Sequence, residues 1–255
     1  MMLQRAWLTY SAIGLIVMLL TGCPGTETPE PTRDARRLMG TAVTQTKAAY
    51  NGPAEDVFIT NENFENVLQV GSISATGEVD VNLPETLPET LLVAVQATTD
   101  GDEDALLPAT CIPNSTLTVS DLAAKAYVLG SFFQGLATSS QQGIYEFDSQ
   151  TPAFPQDTNA IDWVSVAPDR IVLVTRFYSD RDVIIEGLCD IEEEEDGSIL
   201  RIKSNFDLAL RRGWNYVTLT FSSKIFNNGA IFETRSIYTL GVIPEETTLF
   251  IFPAD

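Results

Sequence analysis

Residues 77–84, Gly-Glu-Val-Asp-Val-Asn-Leu-Pro, alternate polar and apolar side chains between a glycine and a proline. A strand points successive side chains to opposite faces, so Val79, Val81 and Leu83 share one face and Glu78, Asp80 and Asn82 the other. Further β-prone runs cover residues 56–60, 67–70 (ending at Gly71), 91–96, 127–133, 161–166 and 170–178. Others cover residues 183–189, 198–203, 206–210, 214–221 and 231–238. Turn residues stand between them, such as Asn51-Gly52-Pro53, Arg211-Arg212-Gly213 and Asn227-Asn228-Gly229. The one short helical piece is predicted at residues 120–126, with Ser120 as its N-cap. Strands this closely spaced, with almost no helix, make the chain all-β, a sandwich or a barrel.

The first 22 residues read differently. Arg5 precedes an apolar run from Ala12 to Leu20, and Leu20-Thr21-Gly22-Cys23 follows. This is the layout of a secretory signal, with small residues at the cleavage point. The tetrapeptide resembles the bacterial lipoprotein box, which implies that Cys23 becomes the lipid-bearing first residue of the mature chain. A single membrane span fits less well, because residues 6–20 fall short of the roughly 20 apolar residues a bilayer core needs. A plain secretory signal would leave Cys23 at the cleavage position as a coincidence. Residues 23–38, with prolines among small polar residues, read as a flexible tether. The expected location is the cell envelope, anchored by lipid to a bacterial membrane and facing away from the cytoplasm.

Composition removes several classes of function. The whole chain has 35 acidic and 15 basic residues, for a net charge of −20, and loss of the signal removes only Arg5 among them. Nucleic acid and anionic headgroups repel such a chain, so no nucleic-acid partner is expected. There are 0 histidines, which excludes Ser-His-Asp and Cys-His catalysis and any imidazole-ligated metal. Phosphate loops, nucleophile elbows and metalloprotease motifs are absent as well. Besides Cys23 the cysteines are Cys111 and Cys189, which in an exported protein either pair or stay as two buried thiols.

Residues 75–84, Ala-Thr-Gly-Glu-Val-Asp-Val-Asn-Leu-Pro, resemble the hairpin region of transthyretin-like and regulatory-type β-sandwich domains on bacterial surface proteins. Residues 210–215, Leu-Arg-Arg-Gly-Trp-Asn, are similar to a hairpin of uncharacterised exported bacterial β domains. The first resemblance covers about 70 residues and implies a non-catalytic spacer or binding module. Together with a junction at residues 108–113, these features predict two β-sandwich-like domains of immunoglobulin or transthyretin type, residues 39–110 and 111–255.

Three constellations are candidates for chemistry. Glu192, Glu194 and Asp196, in an acidic run ending at Gly197, approximate the start of a calcium loop. The position for the closing glutamate is Lys203, so a solvated hairpin loop is the competing reading. Residues 100–104 carry the same two readings. Trp163, Trp214, Tyr178 and Tyr216 either form a sugar-binding platform or pack in the core. Carboxylates across a cleft are the remaining route to hydrolysis. The expected function is a non-catalytic envelope or surface protein with a structural or interaction role, possessing no cofactor and working with other envelope proteins. A carbohydrate- or calcium-binding module is the alternative, and a carboxylate-based hydrolase the third.

Overall fold

The computed structural model describes residues 34–61, 65–97, 105–107, 111, 115–129, 135–154, 170–195, 198–226, 231–241 and 243–253. Residues 35–255 form one compact unit. Its first strands are β1 (Arg37–Thr44), β2 (Glu55–Thr60), β3 (Asn66–Ile73), β4 (Glu78–Asn82) and β5 (Val93–Ala94). Then come β6 (Thr118–Val119), β7 (Lys125–Leu129), β8 (Leu136–Thr138), β9 (Gly143–Asp148) and β10 (Ile171–Ser179). The last are β11 (Val183–Glu195), β12 (Ser198–Leu210), β13 (Gly213–Phe226), β14 (Ile231–Leu240) and β15 (Thr247–Phe252). Among the described residues the helical content is one 3-10 turn, Glu89–Leu91. The all-β class is as the alternation predicts.

Seven strands close into a barrel in the order β15-β1-β4-β3-β2-β8-β9, and β9 pairs back to β15. An odd ring cannot be antiparallel throughout, because alternating directions return out of phase. One parallel seam is required, and β1 with β15 supplies it, Ala42 opposite Leu249 and Thr44 opposite Ile251. Each of the seven strands sends apolar side chains to the shared core, among them Ala42, Ile59, Ile73, Val81, Leu136, Ile144 and Ile251. On β4 the alternation works as read: Val79, Val81 and the following Leu83 are buried. Val70 and Ile73 on β3 both face the core despite their odd spacing, since pairing with β2 skips Val70 and forms a bulge.

The rest of the sheet leaves the barrel through β9. One edge of β9 pairs along its length with β15; the other is shared, Ile144 with β8 and Glu146 with β10. β10 continues into β13, and the order runs on through β14, β12, β11 and β6. β14 lies between β12 and β13, parallel to the first and antiparallel to the second, although those two are joined by a two-residue turn. Beneath this extension, Ala126, Val128, Phe177, Ile185 and Leu208 belong to a second core. A third, rich in phenylalanine, covers the outer face of β9 and β15, with Phe147 edge-on to Phe250 at 5.4 Å.

Two sandwiches divided at residue 110 are therefore not what the strands build. β1 to β4 come from the first half and β8, β9 and β15 from the second, and the ring needs all of them. Pairing also starts at Arg37, inside the stretch read as tether. The strand expected at residues 91–96 is mostly replaced by the 3-10 turn and the two residues of β5, because Leu87 and Leu91 plug the barrel core instead. The expected helix at 120–126 is an Asx turn: Asp121 Oδ1 accepts from the Ala123 N–H, and Lys125 already begins β7. The Ser120 hydroxyl accepts from the Ile184 N–H rather than capping a helix. Residues 198–203 and 206–210 are one strand, β12. The expected strand at 161–166, the loop at 100–104, the Asn-Asn-Gly turn and Cys23 lie outside the described residues.

Candidate functional site

The register of three neighbouring strands creates a buried polar site where the barrel meets its extension. Glu146 on β9 stands opposite Leu249 of β15 and Val174 of β10. Two residues along each neighbour, on the same face by the period of two, lie Thr247 and Arg176. Diagonal neighbours are within reach of long side chains. The Arg176 Nη2 accordingly lies 2.7 Å from Glu146 Oε2, and the Thr247 hydroxyl donates to Glu146 Oε1 at 2.6 Å. Tyr216, directly across from Arg176 on β13, lies under the guanidinium at 4.9 Å. The two charged side chains are only 3% and 5% exposed.

Chemically this is a lock, not a reaction centre. A guanidinium stays protonated in proteins, so Arg176 supplies a permanent charge that Glu146 answers. At that burial neither group meets a solute. Arg176 Nε has no hydrogen-bond partner among the described residues, so the geometry of the pair is set by the ion contact and the Tyr216 face. Removing one partner strands the other charge inside the protein. Sequence reading overlooked the pair. Its trace is an arginine and a glutamate each embedded in an apolar β run, Val174-Thr175-Arg176-Phe177 and Ile144-Tyr145-Glu146-Phe147.

From Asp190 to Glu195 the acidic run is strand and not loop. It continues β11 through Glu195, with Asp190 opposite Lys203 and Glu192 opposite Arg201. Arg201 Nε binds Glu192 Oε2 at 2.7 Å, and Lys203 binds Glu233 at 2.8 Å, which holds the Glu233 carboxyl below its ordinary value. The carboxylates of Glu192 and Glu233 are engaged across strands, and among the described residues no group of acidic side chains is arranged to hold a metal. The side chain of Glu194 and the whole of Asp196 lie outside the described residues.

The aromatic residues are packing groups. Tyr178 and Trp214 meet edge-on at 5.4 Å, and Trp214 also meets Tyr127 at 6.3 Å in the barrel core. The indole N–H donates to the Pro84 carbonyl at 2.7 Å. Tyr216 serves Arg176, and Trp163 lies outside the described residues. No protein family, curated protein or solved structure matches this chain.

Cys111 and Cys189 are joined as a disulfide, with their Cα atoms 5.3 Å apart. It ties the segment before β6 to β11, whose outer edge is covered by residues 115–120. Closing a loop of separation 78 stabilises the fold by roughly 4–5 kcal/mol in the chain-entropy account. At the other end of the extension, Asp182 accepts from the Arg212 N–H at 2.8 Å and pairs with Arg211 at 3.2 Å, which lowers its carboxyl. Asn215 binds the same turn, accepting from the Arg211 N–H and donating to the Arg211 and Gly213 carbonyls. Among the described residues no helix is long and apolar enough to cross a membrane.

Proposed function

We propose that this chain is a lipid-anchored extracytoplasmic protein of the bacterial envelope with a non-catalytic, structural or interaction role. The observation that carries the reading is Leu20-Thr21-Gly22-Cys23 directly after an apolar run. A disulfide between Cys111 and Cys189 fits a compartment in which such bonds persist. The described charge clusters support a non-catalytic role. Glu146 and Arg176 are sealed against each other, and Glu192 and Glu233 are neutralised across strands. The lipid would hold the barrel at a membrane surface, where loops or a sheet edge meet other envelope proteins.

The test is the mature N-terminus. Protein isolated from native membranes should begin at Cys23, with acyl mass on its first peptide. A mature chain starting elsewhere, or carrying no acyl group, refutes the anchor. Mild-detergent capture then addresses the role: a stoichiometric companion supports an envelope assembly, while a chain that comes down alone counts against it.

A further inference from the structure

The outer edge of β11 is covered in an unusual way. Residues 115–120 run beside it, but only Thr118 and Val119 pair as a strand. Elsewhere hydroxyl groups stand in for the ladder. Thr116 donates its N–H to the Leu188 carbonyl at 2.9 Å and takes the Leu188 N–H on its Oγ1 at 3.2 Å. Ser120 does the same for Ile184 at 2.9 Å each, and Ser115 Oγ accepts from the Asp190 N–H at 3.1 Å. These bonds compete with water, since most lie at the surface, and the apolar anchorage is limited to the partly buried Leu117 and Val119.

β11 is shaped to receive this cover. Gly187 has φ +107°, and a Cβ there would lie 2.4 Å from the Thr116 carbonyl oxygen. The cover's far end is firmly held, because Ala124 accepts from Val95 and β7 pairs with β10. Its near end is pinned by Cys111, four residues before Ser115.

We propose that residues 115–120 are a redox-latched strap. With Cys111–Cys189 oxidised the strap seals the β11 edge; when a dithiol reduces the bond it lifts as a unit, and the barrel stays folded. Cys189 is 2% exposed and Cys111 only partly buried, so the reductant's thiolate attacks the Cys111 sulfur. The S–S bond breaks, Cys189 leaves as a thiolate and takes up a proton. The second thiol of the dithiol then attacks its own mixed-disulfide sulfur and releases Cys111. The dithiol ends as a cyclic disulfide, having supplied two electrons. Without the latch, closure rests on surface hydrogen bonds and the small apolar contact of Leu117 and Val119; once the strap lifts, the N–H groups of Ile184 and Leu188 form an edge able to accept another strand. The inference holds whether or not Cys23 is acylated.

Hydrogen exchange resolved to single amides, on the intact chain before and after dithiothreitol, tests this. Ile184, Leu188, Asp190, Thr116 and Ser120 should exchange faster by on the order of tenfold or more beyond any common change in β4 and β15, which follow global stability. Cys111→Ser should give the same pattern without reductant. Unchanged protection at Ile184 and Leu188 would show that the strap needs no latch and would overturn the proposal. An equal acceleration in β4 and β15 would overturn it too, by showing that the strap opens only with the whole fold.

Discussion

At the residue scale the Arg176–Glu146 pair has the largest consequence. A buried ion pair contributes little net stability against an apolar substitute, but half of one is costly. Arg176→Met should therefore lower stability by roughly 3–5 kcal/mol, leaving Glu146 buried without its partner. The double variant Arg176→Met/Glu146→Leu should recover most of that loss. Denaturant unfolding of both variants decides it, and a double variant as unstable as the single one would refute the lock. Tyr238 gives a pH signature. Its ring stacks on Phe206 at 4.5 Å, and burial pushes its hydroxyl up to about 12 from 10.0. A raised folded value means the stabilisation is complete below the ordinary phenol range and is lost as pH rises towards 12. Melting temperature should fall across that window, and less steeply in Tyr238→Phe, which keeps the stack. Equal slopes in the two proteins would discard the idea.

At the scale of elements, β3 and β4 approach closely at Gly71. A Cβ there would lie 2.2 Å from the Asp80 carbonyl oxygen and 2.7 Å from Val81 Cα. The obstruction is backbone, which cannot rotate away, so Gly71→Ala should cost about 1–3 kcal/mol. A melting curve matching the parent would mean that the two strands separate more easily than their pairing implies. Strands that form compact apolar or alternating runs were legible: the alternation along β4 gives its buried residues by inspection, and β2, β10 and β14 fall within a residue or two of their apolar runs. β15 has no such mark, because the barrel core takes Leu249 and Ile251 on one face and the phenylalanine cluster takes Phe250 and Phe252 on the other. The acidic run looked like a loop because the cations that face it, Arg201 bound to Glu192 and Lys203 opposite Asp190, become its neighbours only once β11 and β12 pair. For the same reason the buried pair was invisible: Glu146 and Arg176 are joined by register between strands, and no local period encodes it.

For the whole molecule, the parallel seam decides how the chain becomes one body. β1 starts at Arg37 and β15 ends at Phe252, so the contact that closes the ring joins opposite ends of the described chain. Such non-local pairing incurs loop-closure entropy before any reward and slows folding. It also means that neither half owns a complete barrel. Without β8 and β15, β2 and β1 each keep an open edge; without β1 to β4, the second half loses most of the barrel core. A cut between residues 110 and 111 should thus yield two fragments, 35–110 and 111–255, neither of which shows the parent's cooperative thermal transition. Mixing them should restore it, since the seam between β1 and β15 and the β2–β8 pairing re-form between fragments without a covalent link. Near-ultraviolet dichroism, which reports the packing of the second half's Tyr127, Tyr178 and Trp214 against Pro84 and the core residues of the first, is the readout. A fragment 35–110 that melts cooperatively alone would mean that its own strands need no partner to complete a core, and would return the chain to two independent β domains.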